Sequence, residues 1–219
     1  MKIGFVGYGQ MAAALSSRWA ATHATFIGGR NLAKANALAE RLGRGTRHGS
    51  AAEAVHFGEA VVLATQHHAV FAAMDEAGGP AAFAGKLVID INNPVSAFDG
   101  NFLVKDYDGR SLAGAIAACA PGAAVVKAFN MCQATVWQMD PPLFDGRRLA
   151  VLTCGNDPSA KGKVAGLIEE IGAEPVDLGP LDYARLLEAA AAIVIKLLFS
   201  GRDPHTVLNL IQPEAKSIA

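Results

Sequence analysis

Apolar positions in this chain fall into short continuous runs separated by amphipathic stretches. "KIGFV" (2–6), "ATFIG" (24–28), "AVVLAT" (60–65), "KLVIDI" (86–91) and "AAVVKAF" (123–129) lack the alternation of half-exposed strands. They predict strands covered on both faces. Between them lie helical patterns. These are "MAAALSSRWAAT", "LAKANALAERLG" with Gly43 at its stop, and "SAAEAVHF", where Ser50 and Glu53 make a capping box. A short third strand is expected near 45–48. Past residue 140, "RRLAVLTCG" (147–155) reads as a strand and "DPSAKGKVAGLIEEIG" as a helix capped by Asp157, opened by Pro158 and stopped by Gly172. "AEPVDLG" reads as a short strand and turn, 182–200 as a long helix and 203–211 as a last short one. Strand–helix alternation of this kind implies a doubly wound parallel sheet, here with a C-terminal strand and helix extension. "MDPPLFDG" (139–146) is the one weak boundary, so the expected organisation is a single domain over 1–219, with a core of about 1–138 and an extension of about 139–219.

Composition narrows the classes. Of 219 residues, 52% are hydrophobic and 18% charged, enough to build a core. A formal net charge of −1 gives no field to draw nucleic acid or anionic lipid. Cys119, Cys132 and Cys154 have no paired spacing, which argues against disulfides and zinc and for a reducing cytoplasm. "LLEAAAAIVIKLLF" is interrupted by Glu188 and Lys196, and is expected to be a buried helix rather than a membrane span.

The first turn carries the most chemistry. Gly7-x-Gly9-x-x-Ala12 follows a strand and opens a helix. Gly7 permits the tight turn, Gly9 lets the backbone approach a pyrophosphate, and Ala12 lets helix and strand pack closely. Free N–H groups at the helix start would meet the phosphates. The expected fold is therefore of Rossmann type in the α/β class. After the second strand, NAD-binding chains carry an acid for the ribose 2′-hydroxyl. This chain has Gly28-Gly29-Arg30-Asn31, then Lys34. Arg30 can fork onto a 2′-phosphate, Lys34 follows about one helical turn later, and small residues at 28 and 29 leave room. The expected cofactor is NADP(H). The competing reading of Arg30 and Lys34 is two solvated surface charges.

In such sheets, ligands bind beyond the carboxyl ends of the strands. Those positions hold Thr65-Gln66-His67-His68, Asn92-Asn93-Pro94 and Lys127-Ala128-Phe129-Asn130. His67 and His68 are candidate proton donors or ring contacts, equally readable as capping or surface histidines. Asn93-Pro94 is a candidate wall of a slot or a plain turn. Lys127 reads better as a structural charge than as a base. The cysteines lack the cationic surroundings of a nucleophile, and no metal-ligand set is evident.

Several segments together resemble a known family: "IGFVGYGQMA", "GGRN", "VIDINNPV", "VVKAFN", "CGNDPSAKGKV" and "EPVDLGPLDYARLLE". They are similar to the coenzyme F-420:NADP oxidoreductases and to the oxidoreductase domain of the six-transmembrane ferric reductases. The resemblance runs from residue 2 to about 200. It implies Gly7, Gly9 and Gln10 at the pyrophosphate and Arg30 and Lys34 at the 2′-phosphate, with Tyr8, Met11, Gly29 and Asn31 also among the expected cofactor-binding residues. Thr65 would lie near the ribose, and His67, Asn93, Pro94, Ala128 and Phe129 around the nicotinamide and a second ring, with Gln66 and Asn130 as further cofactor-binding residues. His67 and Asn93 are the expected catalytic residues, and "GPL" (179–181) is expected to border the substrate side. The implied reaction is hydride transfer between NADPH and a small-molecule redox acceptor, a flavin (FMN or FAD) or a deazaflavin such as coenzyme F-420. Reduction of a small imine or carbonyl, reduction of ferric iron, and a non-catalytic NADP sensor are the competing readings. The apolar helix at 186–199 favours a homodimer.

Overall fold

The structure is a computed structural model and describes residues 1–98 and 101–202. An eight-stranded sheet is built from β1 (Lys2–Val6), β2 (Ala24–Gly28), β3 (Arg47–Gly49), β4 (Ala60–Leu63), β5 (Leu87–Asp90), β8 (Ala124–Lys127), β11 (Ala150–Gly155) and β12 (Glu174–Asp177). Its order is β12-β11-β8-β5-β4-β1-β2-β3. The helices are α1 (Gln10–Trp19), α2 (Leu32–Leu42), α3 (Ala51–Phe57), α4 (Val70–Glu76), α5 (Leu112–Cys119), α6 (Pro158–Glu170) and α7 (Ala184–Phe199). Two small hairpins stand apart from the sheet: β6 (Val95–Phe98) with β7 (Asn101–Val104), and β9 (Leu143–Phe144) with β10 (Arg147–Arg148). This is a Rossmann-like α/β fold.

Strands buried on both faces require two cores, and two are present. On one face α1, α2 and α6 bring Leu15, Trp19, Leu38 and Leu167 against Phe5 and Ile27. On the other, α3, α4, α5 and α7 bring Val55, Met74, Ile116 and Leu187 against Val6, Leu63 and Val88. Trp19 is fully buried, and its Nε1 donates to Leu167 O at 3.0 Å, satisfying the polar end of the largest core side chain. Local signals hold where chemistry is local. Gly43 ends α2 at φ 61, Ser50 and Glu53 form the capping box, and Asp157 accepts from Ala160 N.

The sheet is not wholly parallel. β11 runs antiparallel to β8, pairing Cys154 with Lys127 and Gly155 with Val126, while β12 is parallel to β11. The cause lies in residues 128–149, which hold only a 3-10 turn (Val136–Gln138) and the β9–β10 hairpin. A parallel neighbour needs a long crossover, usually helical, and this connection has no α-helix. Arg147 and Arg148 belong to that hairpin rather than to β11. The expected helix over 203–211 lies outside the described residues.

The chain winds outward from β1 through β2 to β3, then crosses back to β4, β5 and β8. Strand order reverses between β1 and β4, and the crevice beyond their C-terminal ends is the place such sheets offer to a ligand.

Candidate active site

The turn after β1 builds the crevice. Gly7 sits at φ 124, and a Cβ there would lie 2.3 Å from Ala64 O, so both its conformation and the approach of β4 exclude a side chain. Gly9 differs. Its φ of −79 suits any residue, and a Cβ would meet nothing within 4 Å. The fold itself asks nothing of glycine at position 9; the bare surface is left for something outside the chain. Gly9 also starts α1 with no side-chain cap, and no acid lies in the first turn, so the helix presents free N–H groups.

A cavity of about 310 Å³ opens over this turn, with Tyr8, Gly9, Gly29, Arg30, Thr65 and Gln66 in its lining. Thr65 Oγ1 is buried without a hydrogen-bond partner within the chain. An orphaned hydroxyl, a bare Gly9 and free helix N–H groups together suit a polyanionic nucleotide. The small residues at 28 and 29 do a different job from the one expected. Gly28 makes room for Ser50 and Ala54 of α3, and Gly29 for the ring of Tyr8. Asn31 spends its side chain capping α2, accepting from Lys34 N at 3.0 Å. Lys34 is exposed and does not line the cavity, so Arg30 alone represents the expected basic pair there. A carboxylate that the sequence reading did not place, Glu76, lies across from it.

A second cavity, of about 320 Å³, begins at Gln10 and Met11. Asn93, Phe129 and Asn130 form one side, and Ala191, Val194, Ile195 and Leu198 of α7 another. Asn93 and Asn130 interlock. Asn130 Nδ2 donates to Asn93 Oδ1 at 3.0 Å and to Leu187 O at 3.1 Å, and Asn93 Nδ2 donates to Asn130 O at 2.7 Å. Asn130 Oδ1 stays buried and unpaired. Phe129 holds φ 60, a left-handed conformation costly for a bulky residue, with Trp19 and Trp137 set edge-on to its ring. Ala128 and Pro94 are buried behind these residues. Among the described residues the lining carries no Lys, Arg, Asp, Glu or His; the one titratable group among them, the Cys132 thiol, is pushed up to about 11 by burial and stays neutral.

Beneath the second cavity lies a buried ionic cluster. Lys127 Nζ donates to Asp90 Oδ2 at 2.8 Å, to Glu188 Oε1 at 3.2 Å, and to Asn92 O. All three charged side chains are fully buried. Glu188 also accepts from Leu112 N at the start of α5. Burial raises the Glu188 carboxyl above its ordinary value, against the pull of Lys127. Lys127 is thus a structural charge, as expected.

His67 opens a 3-10 turn beside His68 and lines neither cavity; burial, reinforced by the positive charges of His68 and Lys105, lowers its pKa. His68 reaches the first cavity instead. Gly179–Leu181 also misses the second cavity. Leu181 borders a separate hollow with Arg110, Ser111 and Arg185. The individual α7 residues of this wall were not legible in the sequence, because an apolar helix reads as core until its neighbours are known.

Residues 2–94 match the family described as NADP oxidoreductase, coenzyme F420-dependent. Metalloreductase STEAP3 of Rattus norvegicus is 31% identical over 212 residues, covering 95% of this chain and 39% of that protein. The F420-dependent NADP reductase of Methanocaldococcus jannaschii is 30% identical over 135 residues, 59% of this chain and 58% of that one. The chain therefore spans less than two thirds of either relative. A solved structure from Arthrobacter sp. FB24, described as a candidate F420-dependent NADP-reductase, superposes with a TM-score of 0.82 at 28% identity, covering 92% of this chain and 96% of that one. An imine reductase from Aspergillus terreus, with a TM-score of 0.65 at 21% identity over 91% of this chain and 63% of that one, speaks to the fold alone. Glycine turn, strand order and sequence likeness agree, and residues 2–94 are similar to the family described as NADP oxidoreductase, coenzyme F420-dependent.

Proposed function

We propose that this protein is an NADP(H)-dependent oxidoreductase that passes hydride between NADPH and a flavin or deazaflavin. One observation carries the reading: the two cavities adjoin at consecutive residues of one turn, the first ending at Gly9 and the second starting at Gln10. A single extended dinucleotide laid over that turn has its adenosine half beside Arg30 and its nicotinamide half beside Asn93 and Phe129. When bound, NADPH supplies the hydride. The chain's part is to grip, align and keep dry. Helix N–H groups and Gly9 hold the diphosphate, Arg30 takes the 2′-phosphate, and the α7 wall excludes water from a slot wide enough for a planar ring. Among the described residues lining that slot the one titratable group is the neutral Cys132 thiol, which suits direct transfer between two rings better than reduction of a carbonyl, where a proton donor is needed. His67 is accordingly not part of this proposal, and Asn93 is retained as an orienting group.

We also infer a reducing, cytoplasmic setting from the three free cysteines, and a homodimer from the apolar outer face of α7. No helix among the described residues is long and apolar enough to cross a membrane.

The test is a fluorescence titration with NADPH and NADH, followed by NADPH consumption with flavin, deazaflavin and ferric chelates. Arg30→Ala is expected to weaken NADPH by about 1.5–3 kcal/mol, the size of a hydrogen bond to a charged group, and to leave NADH nearly unchanged. Binding without oxidation by any acceptor would sink the proposed reaction.

A further inference from the structure

The nucleotide cavity contains one carboxylate, and it comes from an unexpected direction. Glu76 ends α4, and its Oε2 lies 3.9 Å from Arg30 Nε. Ala69, Ala72 and Ala73 make the α4 wall of the same cavity. Among the described residues that line it, Arg30 is the sole Lys or Arg and Glu76 the sole Asp or Glu. The single guanidinium available to a 2′-phosphate is therefore already facing a counter-charge.

The two side chains are 73% and 42% exposed, so solvent screens their attraction and Arg30 can change partners readily. A phosphate dianion is the better partner for a guanidinium, through paired charge-assisted bonds. It has two costs to meet here: Arg30 must leave Glu76, and the carboxylate left nearby repels the phosphate. Neither cost falls on a nucleotide without the 2′-phosphate. We propose that Glu76 is a specificity-determining residue that competes with the 2′-phosphate for Arg30 and narrows the preference for NADP(H) over NAD(H). This rests on reading the groove as the NADP(H) site.

Dissociation constants for 2′,5′-ADP, ADP, NADPH and NADH should be measured on the full chain, on Glu76→Gln and on Arg30→Ala. Glu76→Gln keeps shape and removes charge at a helix C-terminus, where a carboxylate is unfavourable, so the fold is expected to melt no lower than wild type. It should tighten 2′,5′-ADP and NADPH by about 3–10-fold, more at low salt, and leave ADP and NADH within about 2-fold. Equal changes in both ligand classes, or weaker binding of the 2′-phosphorylated pair, would overturn the role of Glu76. If Arg30→Ala abolishes discrimination while Glu76→Gln changes nothing, the groove reading stands and only this proposal falls. If wild type does not distinguish 2′,5′-ADP from ADP, the groove reading fails and Glu76 loses its role with it.

Discussion

Two glycines, two positions apart in sequence, separate folding from binding. Gly7 is required by its own backbone and by Ala64, and Gly9 by neither. Gly7→Ala should cost at least about 1–3 kcal/mol of stability, the scale of a forced left-handed residue plus a backbone clash, read as a lowered urea midpoint. Gly9→Ser should leave that midpoint nearly unchanged, since serine is a good helix N-cap, yet abolish NADPH binding in a titration. A Gly9→Ser protein that still binds NADPH at wild-type affinity would mean the space above residue 9 is not where the diphosphate lies. The glycine turn was legible in the sequence because its requirements are local: strand, turn, helix, within ten residues. Glu76 was not, because nothing in "AAMDEAGG" says which groove the end of that helix faces. The capping role of Asn31 was not legible for a related reason, since a cap and a ligand contact look alike until the helix start is fixed.

At the scale of elements, α7 is fastened to the sheet by charge as well as by packing. Lys127→Met leaves Asp90 and Glu188 buried together without a cation, and should cost about 3–5 kcal/mol. The raised pKa of Glu188 sets a sign. The folded state favours the protonated acid relative to the unfolded chain, so the stability from this group is complete below its ordinary value of 4.5 and is lost as pH rises through the folded value. Above about pH 4.5, denaturant midpoints of wild type should therefore fall relative to those of Glu188→Gln. A steeper decline in the variant would contradict that sign. The strands themselves were readable from uniform apolar runs, but direction was not. A run such as "LAVLTCG" has the same pattern whether it enters a sheet upward or downward, and only the missing crossover helix after β8 decides it. The β6–β7 hairpin and α5 escaped notice because neither carries a strong period.

For the whole molecule, the outer face of α7 leaves Leu186 62%, Ile193 51% and Phe199 77% exposed, an apolar surface beyond what scattered side chains explain. Phe199 stacks with Phe102 of the β7 strand at 5.0 Å, extending the face onto the hairpin. Light scattering should report a dimer for wild type and a monomer for Ile193→Glu; a wild-type monomer would leave the face to some other partner. The eight-stranded sheet runs from Lys2 to Asp177 through the seam between β8 and β11, where Cys154 and Gly155 pair with Lys127 and Val126.

The ionic knot under α7 has a practical corollary for anyone reshaping what this protein accepts. Lys127 grasps the carbonyl of Asn92, next to one rim of the second cavity, and Glu188, rooted in the helix that forms the opposite rim. Grafting a foreign helix in place of α7 without an acid at the Glu188 position would slacken both rims together, so a transplant of specificity must carry that one carboxylate along with the side chains that touch the guest.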